Sequence, residues 1–181
     1  MRCALLAVLL GLSSSTTALA APAPKDGTPT VFLVRHAEKV DESRDPDLSE
    51  AGRRRAQQLK RFFSDAGVTR LFCTQYKRTQ QTLQPLSDAV GKPCQMVRAQ
   101  EPDALVAQIR RLNTSEVVVV AGHSNTLATI AEKLGAPKGQ LKVAHHHYDD
   151  VVLLKLTKHG TYLLRLHTGP ANPAAKPAKA K

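Results

Sequence analysis

Three short polar segments of this 181-residue chain carry residue types that handle anions: Arg35-His36-Ala37-Glu38, Thr74-Gln75-Tyr76-Lys77-Arg78 and Gly122-His123-Ser124-Asn125. Each follows an apolar run that reads as a strand. In an open parallel sheet, ligands bind outside the carboxyl ends of the strands, so the residues just after them share one rim. Two imidazoles and two guanidiniums gathered there suit a phosphoryl group. A phosphate monoester is a dianion whose equatorial oxygens gain charge during transfer, and transfer needs fixed cations and an in-line nucleophile. Arginine supplies a planar fork that grips two phosphate oxygens and stays charged at any working pH. An imidazole, with a reference pKa near ~6.5, is largely neutral at pH 7 and attacks through one ring nitrogen while a hydrogen bond holds the other. His36 fits the nucleophile, with Arg35, Arg78 and His123 around the phosphoryl group; no metal and no cofactor is implied.

Arg78 falls in the first turn of an expected helix, where a cation opposes the macrodipole and is well placed only beside a bound anion. The leaving group needs a proton, and two carboxylates compete to give it. Glu38, two residues past the nucleophile, is preferred to Glu101, which follows the third expected strand. With neither, the site would suit good leaving groups such as phosphoramidates. His145-His146-His147, ahead of Tyr148-Asp149-Asp150, invites a metal reading. Adjacent residues of an extended chain point to opposite sides, so the triplet reads instead as a polar loop beside the pocket.

The elements that must position these residues alternate. Val31–Val34 reads as a buried strand. Ser49 reads as the N-cap of a helix to about Ala66, with Ala56, Leu59, Phe62, Phe63 and Ala66 on its apolar stripe. Thr69–Thr74 is a second strand. Arg78–Val90 is a helix that Pro85 should kink or restart. Cys94–Val97 is a third strand, and Pro102 opens a helix ending near Leu112. Val117–Ala121 is a central strand covered on both faces, Ser124–Leu134 a helix, and Asp150–Thr157 with Thr161–His167 a hairpin or paired edge strands. This order predicts an α/β fold: a three-layer sandwich with a mostly parallel central sheet flanked by helices. In that arrangement Cys73 and Cys94 fall toward opposite ends of neighbouring strands, out of bridging reach, and are expected to be free and buried.

Composition frames the rest. The chain is 42% hydrophobic and 23% charged, close to a soluble average, which excludes a collagen-like, disordered or disulfide-scaffold class. Residues 1–20 have signal-peptide organisation: Arg2, an apolar run too short to span a bilayer, and small residues up to Ala20. The expectation is an exported, periplasmic or secreted protein, with a lead-in over 21–29, one domain over 30–168 and a disordered Lys/Pro/Ala tail over 169–181. The formal net charge of +11 implies attraction to anions. One positive charge belongs to the leader and three lysines to the tail. Arg53-Arg54-Arg55 with Lys60 and Arg61 reads as a solvated helix face, because no aromatic side chains interleave with the charges as nucleic-acid stacking requires.

Leu33-Val34-Arg35-His36-Ala37-Glu38, Leu48-Ser49-Glu50-Ala51-Gly52, the Cys73–Thr82 segment with Arg78 and Val120–Thr126 with His123 together resemble, in order, the motifs of the histidine phosphatase superfamily, the phosphoglycerate mutase-like fold. The resemblance spans nearly all of residues 21–181. It implies a metal-independent phosphatase that hydrolyses phosphate monoesters or phosphoramidates through a phosphohistidine on His36. The implied partner is a phosphorylated small molecule or phosphoprotein, with no nucleic acid, no stable membrane insertion and the oligomeric state open. Ala37 stands where mutases carry glycine, and the segment between Val97 and Val117 is too short for a cap, so the chain is most similar to small capless members such as phosphohistidine phosphatases. A catalytically idle anion-binding module and a mutase-type phosphotransferase are the alternatives.

Overall fold

A computed structural model describes residues 28–145, 147–157 and 159–169. The leader, most of the lead-in and nearly all of the tail therefore lie outside the described residues. Six strands form one sheet: β1 (Thr30–Arg35), β2 (Arg70–Cys73), β3 (Cys94–Met96), β4 (Val117–Gly122), β5 (Asp150–Thr157) and β6 (Gly160–His167). Four helices alternate with the first strands: α1 (Glu50–Phe62), α2 (Lys77–Val90), α3 (Pro102–Arg110) and α4 (Ser124–Lys133). The strand order is β3-β2-β4-β1-β5-β6, parallel from β3 to β1 and antiparallel from β1 through β6.

The sheet is buried on both faces at its centre because β1 and β4 are apolar at successive positions, as a strand covered twice must be. On one face α1 and α2 bring Leu59, Phe63, Leu83 and Leu86 against Val34, Leu71 and Val119. On the other, α3 and α4 bring Leu105, Ile109, Leu127 and Ile130 against Leu33, Phe72 and Val120. The expected three layers are therefore present, with the antiparallel β5–β6 hairpin extending the sheet.

Local departures from the sequence reading have local causes. Helix α1 stops at Phe62 rather than near Ala66, because Ser64 bonds back to the Arg61 carbonyl and Gly67 turns at φ 63°. Phe62 is consequently exposed, while Ala56, Leu59 and Phe63 stay buried. Helix α2 runs unbroken through Pro85 and closes on Gly91 at φ 64°. Arg55 leaves the solvated face of α1: it is half-buried and grips Glu38. The cysteines also differ from expectation. Leu71 pairs with Cys94, so Cys73 is one diagonal step away in a four-residue strand, and the two free thiols lie near enough for each to shift the other's proton affinity. Cys73 is buried, but Cys94 only half so.

Candidate functional site

Arg35 ends β1, and the His36 amide bonds the Gly122 carbonyl at 2.9 Å, tying the loop after β1 to the end of β4. The Ala37 amide donates to Thr82 Oγ1 (2.8 Å), and Thr82 donates to the Arg78 carbonyl (2.6 Å), which latches that loop onto α2. The segment Leu48–Gly52 supports it from below. The Ser49 amide donates to the Glu38 carbonyl (2.9 Å), and Ser49 Oγ caps the Gly52 amide (3.1 Å). A Cβ on Gly52 would lie 2.1 Å from the Glu38 carbonyl oxygen, so only glycine lets α1 approach this closely.

His36 Nδ1 lies 2.8 Å from the Ala37 carbonyl oxygen. A carbonyl only accepts, so Nδ1 carries the proton and Nε2 keeps its lone pair. The His36 and His123 rings are 5.4 Å apart. His123 Nε2 is 3.1 Å from Thr74 Oγ1, which Thr79 Oγ1 holds in turn at 2.8 Å. Arg78 lies 4.3 Å above the Tyr76 ring, and Tyr76 meets His123 edge-on. Arg35 is placed from the other side: its guanidinium sits 4.2 Å over Tyr148 and donates to the carbonyls of Ala144 (3.2 Å) and His145.

Positive charge is compensated only in part: Asp45 reaches Arg78 at 4.0 Å, and Lys39 pairs with Glu42. Burial, reinforced by the neighbouring arginines, pushes the His36 pKa down to about 4 and that of His123 to about 3, so both rings are neutral at pH 7. Burial also lowers the Arg35 pKa. The four residues line an open cavity of about 530 Å³, together with Lys39, Arg44, Tyr76 and Ser124. A groove of about 630 Å³ beside α1 and α2 carries Asp47, Gln57 and Gln84 and none of the four.

The four core residues of the sequence reading therefore meet at one rim. The two proposed acids do not join them. Arg55 clamps the Glu38 carboxylate with three contacts of 2.7–3.0 Å, and Glu38 does not line the cavity. Glu101 borders a separate void of about 20 Å³ behind Thr74 and Gly122. The carboxylate that does line the cavity is Glu42, exposed and paired with Lys39. Sequence reasoning missed Tyr76, Tyr148 and the threonine latch. Thr79 and Thr82, one turn apart among buried residues of α2, were the available signal, since buried hydroxyls need partners. The histidine triplet divides: the His145 ring faces Ser124 at the cavity, His146 lies outside the described residues, and His147 joins Asp149 and Asp150.

The sequence profile of the histidine phosphatase superfamily (branch 1) matches residues 31–101, which include Arg35, His36 and Arg78. No curated protein matches the chain significantly in sequence. Solved structures share the fold. A proposed alpha-ribazole-5'-P phosphatase of Escherichia coli aligns with a TM-score of 0.61 and 14% identity, covering 77% of this chain and 96% of its own. The protein histidine phosphatase SixA complexed with tungstate aligns at 0.57 and 14%, over 77% and 97%. A mycobacterial glucosyl-3-phosphoglycerate phosphatase aligns at 0.59 and 12%, over 77% and 98%.

Proposed function

We propose that the chain is a member of the histidine phosphatase superfamily, whose profile matches residues 31–101, and that it is a phosphatase working through a phosphohistidine on His36. The observation that carries the reading is the His36 tautomer: a neutral ring whose Nδ1 proton is committed to the Ala37 carbonyl, leaving Nε2 nucleophilic beside two guanidiniums. Nε2 attacks phosphorus as the bond to the leaving group breaks. Arg35 and Arg78 take up charge on the equatorial oxygens, and His123 donates to a third position. Water then displaces the phosphoryl group from His36 and releases inorganic phosphate.

Substrate class follows from the acid. No carboxylate free of an ion pair lines the cavity among the described residues, so little help is offered to an alkoxide leaving group. Phosphoramidates, and aryl esters whose leaving groups need little protonation, fit best. The cavity is open, and the only element between β3 and β4 is the nine-residue α3, so a phosphohistidine on a protein surface has access. The test is a substrate panel in excess chelator. Phosphoramidate and aryl phosphate are expected to turn over and alkyl phosphates to lag, with His36→Ala inactive on all. Equal rates on alkyl phosphates would refute the substrate class, and activity in His36→Ala would refute the mechanism.

A further inference from the structure

A second charge cluster lies on the same rim, outside the phosphoryl pocket. His147, Asp149 and Asp150 each place one ligand atom within 4.8 Å of the others. Register brings in a fourth group: His167 is the strand partner of Asp150, and its Nδ1 lies 3.3 Å from Asp150 Oδ1 and 3.4 Å from Asp149 Oδ2. The Asp150 side chain is 3% exposed, and among the described residues neither of its oxygens has a hydrogen-bond partner. Asp149 is 7% exposed. Burying an ionised carboxylate without a partner is costly, and one imidazole N–H bonds only one oxygen well. The adjacent cation, Arg165, holds Nε 3.8 Å from Asp150 and spends another nitrogen on the Lys142 carbonyl. The cluster is short of a cation.

We infer that His147, Asp149, Asp150 and His167 form a binding site for one divalent transition-metal ion of zinc type. Two imidazole nitrogens and two carboxylates select a borderline-soft ion over magnesium or calcium, which prefer oxygen alone. Tetrahedral zinc, with bonds of roughly 2.0–2.2 Å, sets its ligand atoms about 3.4 Å apart; His167 already stands at that spacing from both carboxylates, and His147 lies within 4.8 Å of them. The ion takes no part in phosphoryl transfer. It acts on the loop: Tyr148 lies between the ligands His147 and Asp149, and its ring stacks on Arg35 while the Ala144 carbonyl accepts from the same guanidinium. An ion there pins the segment that holds Arg35 in place.

The experiment is zinc titration of the full chain, stripped with chelator and then freed of it, against a fluorescent zinc indicator. One equivalent is expected to bind, with a zinc-dependent rise in melting temperature. His147→Ala, in a loop, and Asp150→Asn, which keeps side-chain shape, are each expected to weaken binding by at least about 10-fold. His159→Ala, on an exposed turn, is expected to bind as wild type, and millimolar magnesium is expected not to compete. Absence of zinc binding at micromolar concentrations would overturn the inference. So would unchanged affinity in both ligand variants, which would place any bound zinc elsewhere on the chain.

Discussion

Two clusters of opposite charge share the rim and differ in how the chain assembles them. The cationic pocket draws Arg35, Arg78 and His123 from the ends of β1, the start of α2 and the end of β4, nearly ninety residues apart along the chain. The anionic cluster comes from three residues within four consecutive positions, His147, Asp149 and Asp150, plus a single strand partner, His167. The first is braced by a buried threonine latch and the Gly52 contact, whereas the second hangs on a loop and the open end of a hairpin. Preorganisation for charge in a transition state needs rigid donors. An ion-binding loop tolerates motion, because the ion itself supplies the closure.

Substitutions on the braced side carry the largest expected effects. Arg78→Ala is expected to lower kcat about 10²–10³-fold on an aryl phosphate, as loss of one charge-stabilising donor does. Arg78→Lys recovers little of it, since a point charge does not replace a bidentate fork. Recovery to wild-type kcat in Arg78→Lys would reduce the guanidinium to a general field.

The two buried imidazoles make stability depend on pH. Their folded pKa values, about 4 and 3, lie below the ordinary ~6.5 of the unfolded chain, so the unfolded state binds more protons in between. Stability is fully present above pH ~6.5 and falls as pH drops toward 4, by on the order of a few kcal/mol across that window. Urea midpoints at pH 7, 5.5 and 4.5 measure the slope. His123→Asn should flatten it, and inorganic phosphate should offset it by pairing with the imidazolium. A slope unchanged in His123→Asn would contradict the assigned pKa.

Gly52→Ala tests the brace itself. A methyl group 2.1 Å from a backbone oxygen forces α1 and the loop after β1 apart, with an expected cost of about 2–3 kcal/mol in urea unfolding and a larger loss of activity than of fold. The smallest effect is expected at Glu38. Glu38→Gln should cost about 1–3 kcal/mol of stability by leaving Arg55 unmatched, and change phosphoramidate turnover less than about threefold. A large fall in turnover confined to poor leaving groups would restore Glu38 as the proton donor.

The cationic side was legible in the sequence because its parts are motifs: an apolar run followed at once by Arg-His or Gly-His marks a strand end, and strand ends in parallel sheets converge. What braces it was not. Thr79 and Thr82 are ordinary helix residues until the fold buries them, and Glu38 had no visible partner because Arg55, seventeen residues on, looked like part of a solvated basic face. The anionic side was hidden for another reason. The histidine triplet drew attention to adjacent rings, whereas the cluster uses only His147 of them and depends on the Asp150–His167 register, which no local pattern encodes. The cysteine contact was missed in the same way: its distance depended on strand length and stagger rather than on residue type.

The central claim is tested most directly by trapping the intermediate. Rapid acid-free quenching of the enzyme with a labelled aryl phosphate, followed by peptide mapping, should show an acid-labile, base-stable phosphoryl group on the peptide containing His36, absent from His36→Ala. Label on another residue, or turnover with no covalent phosphoenzyme formed at a competent rate, would contradict it.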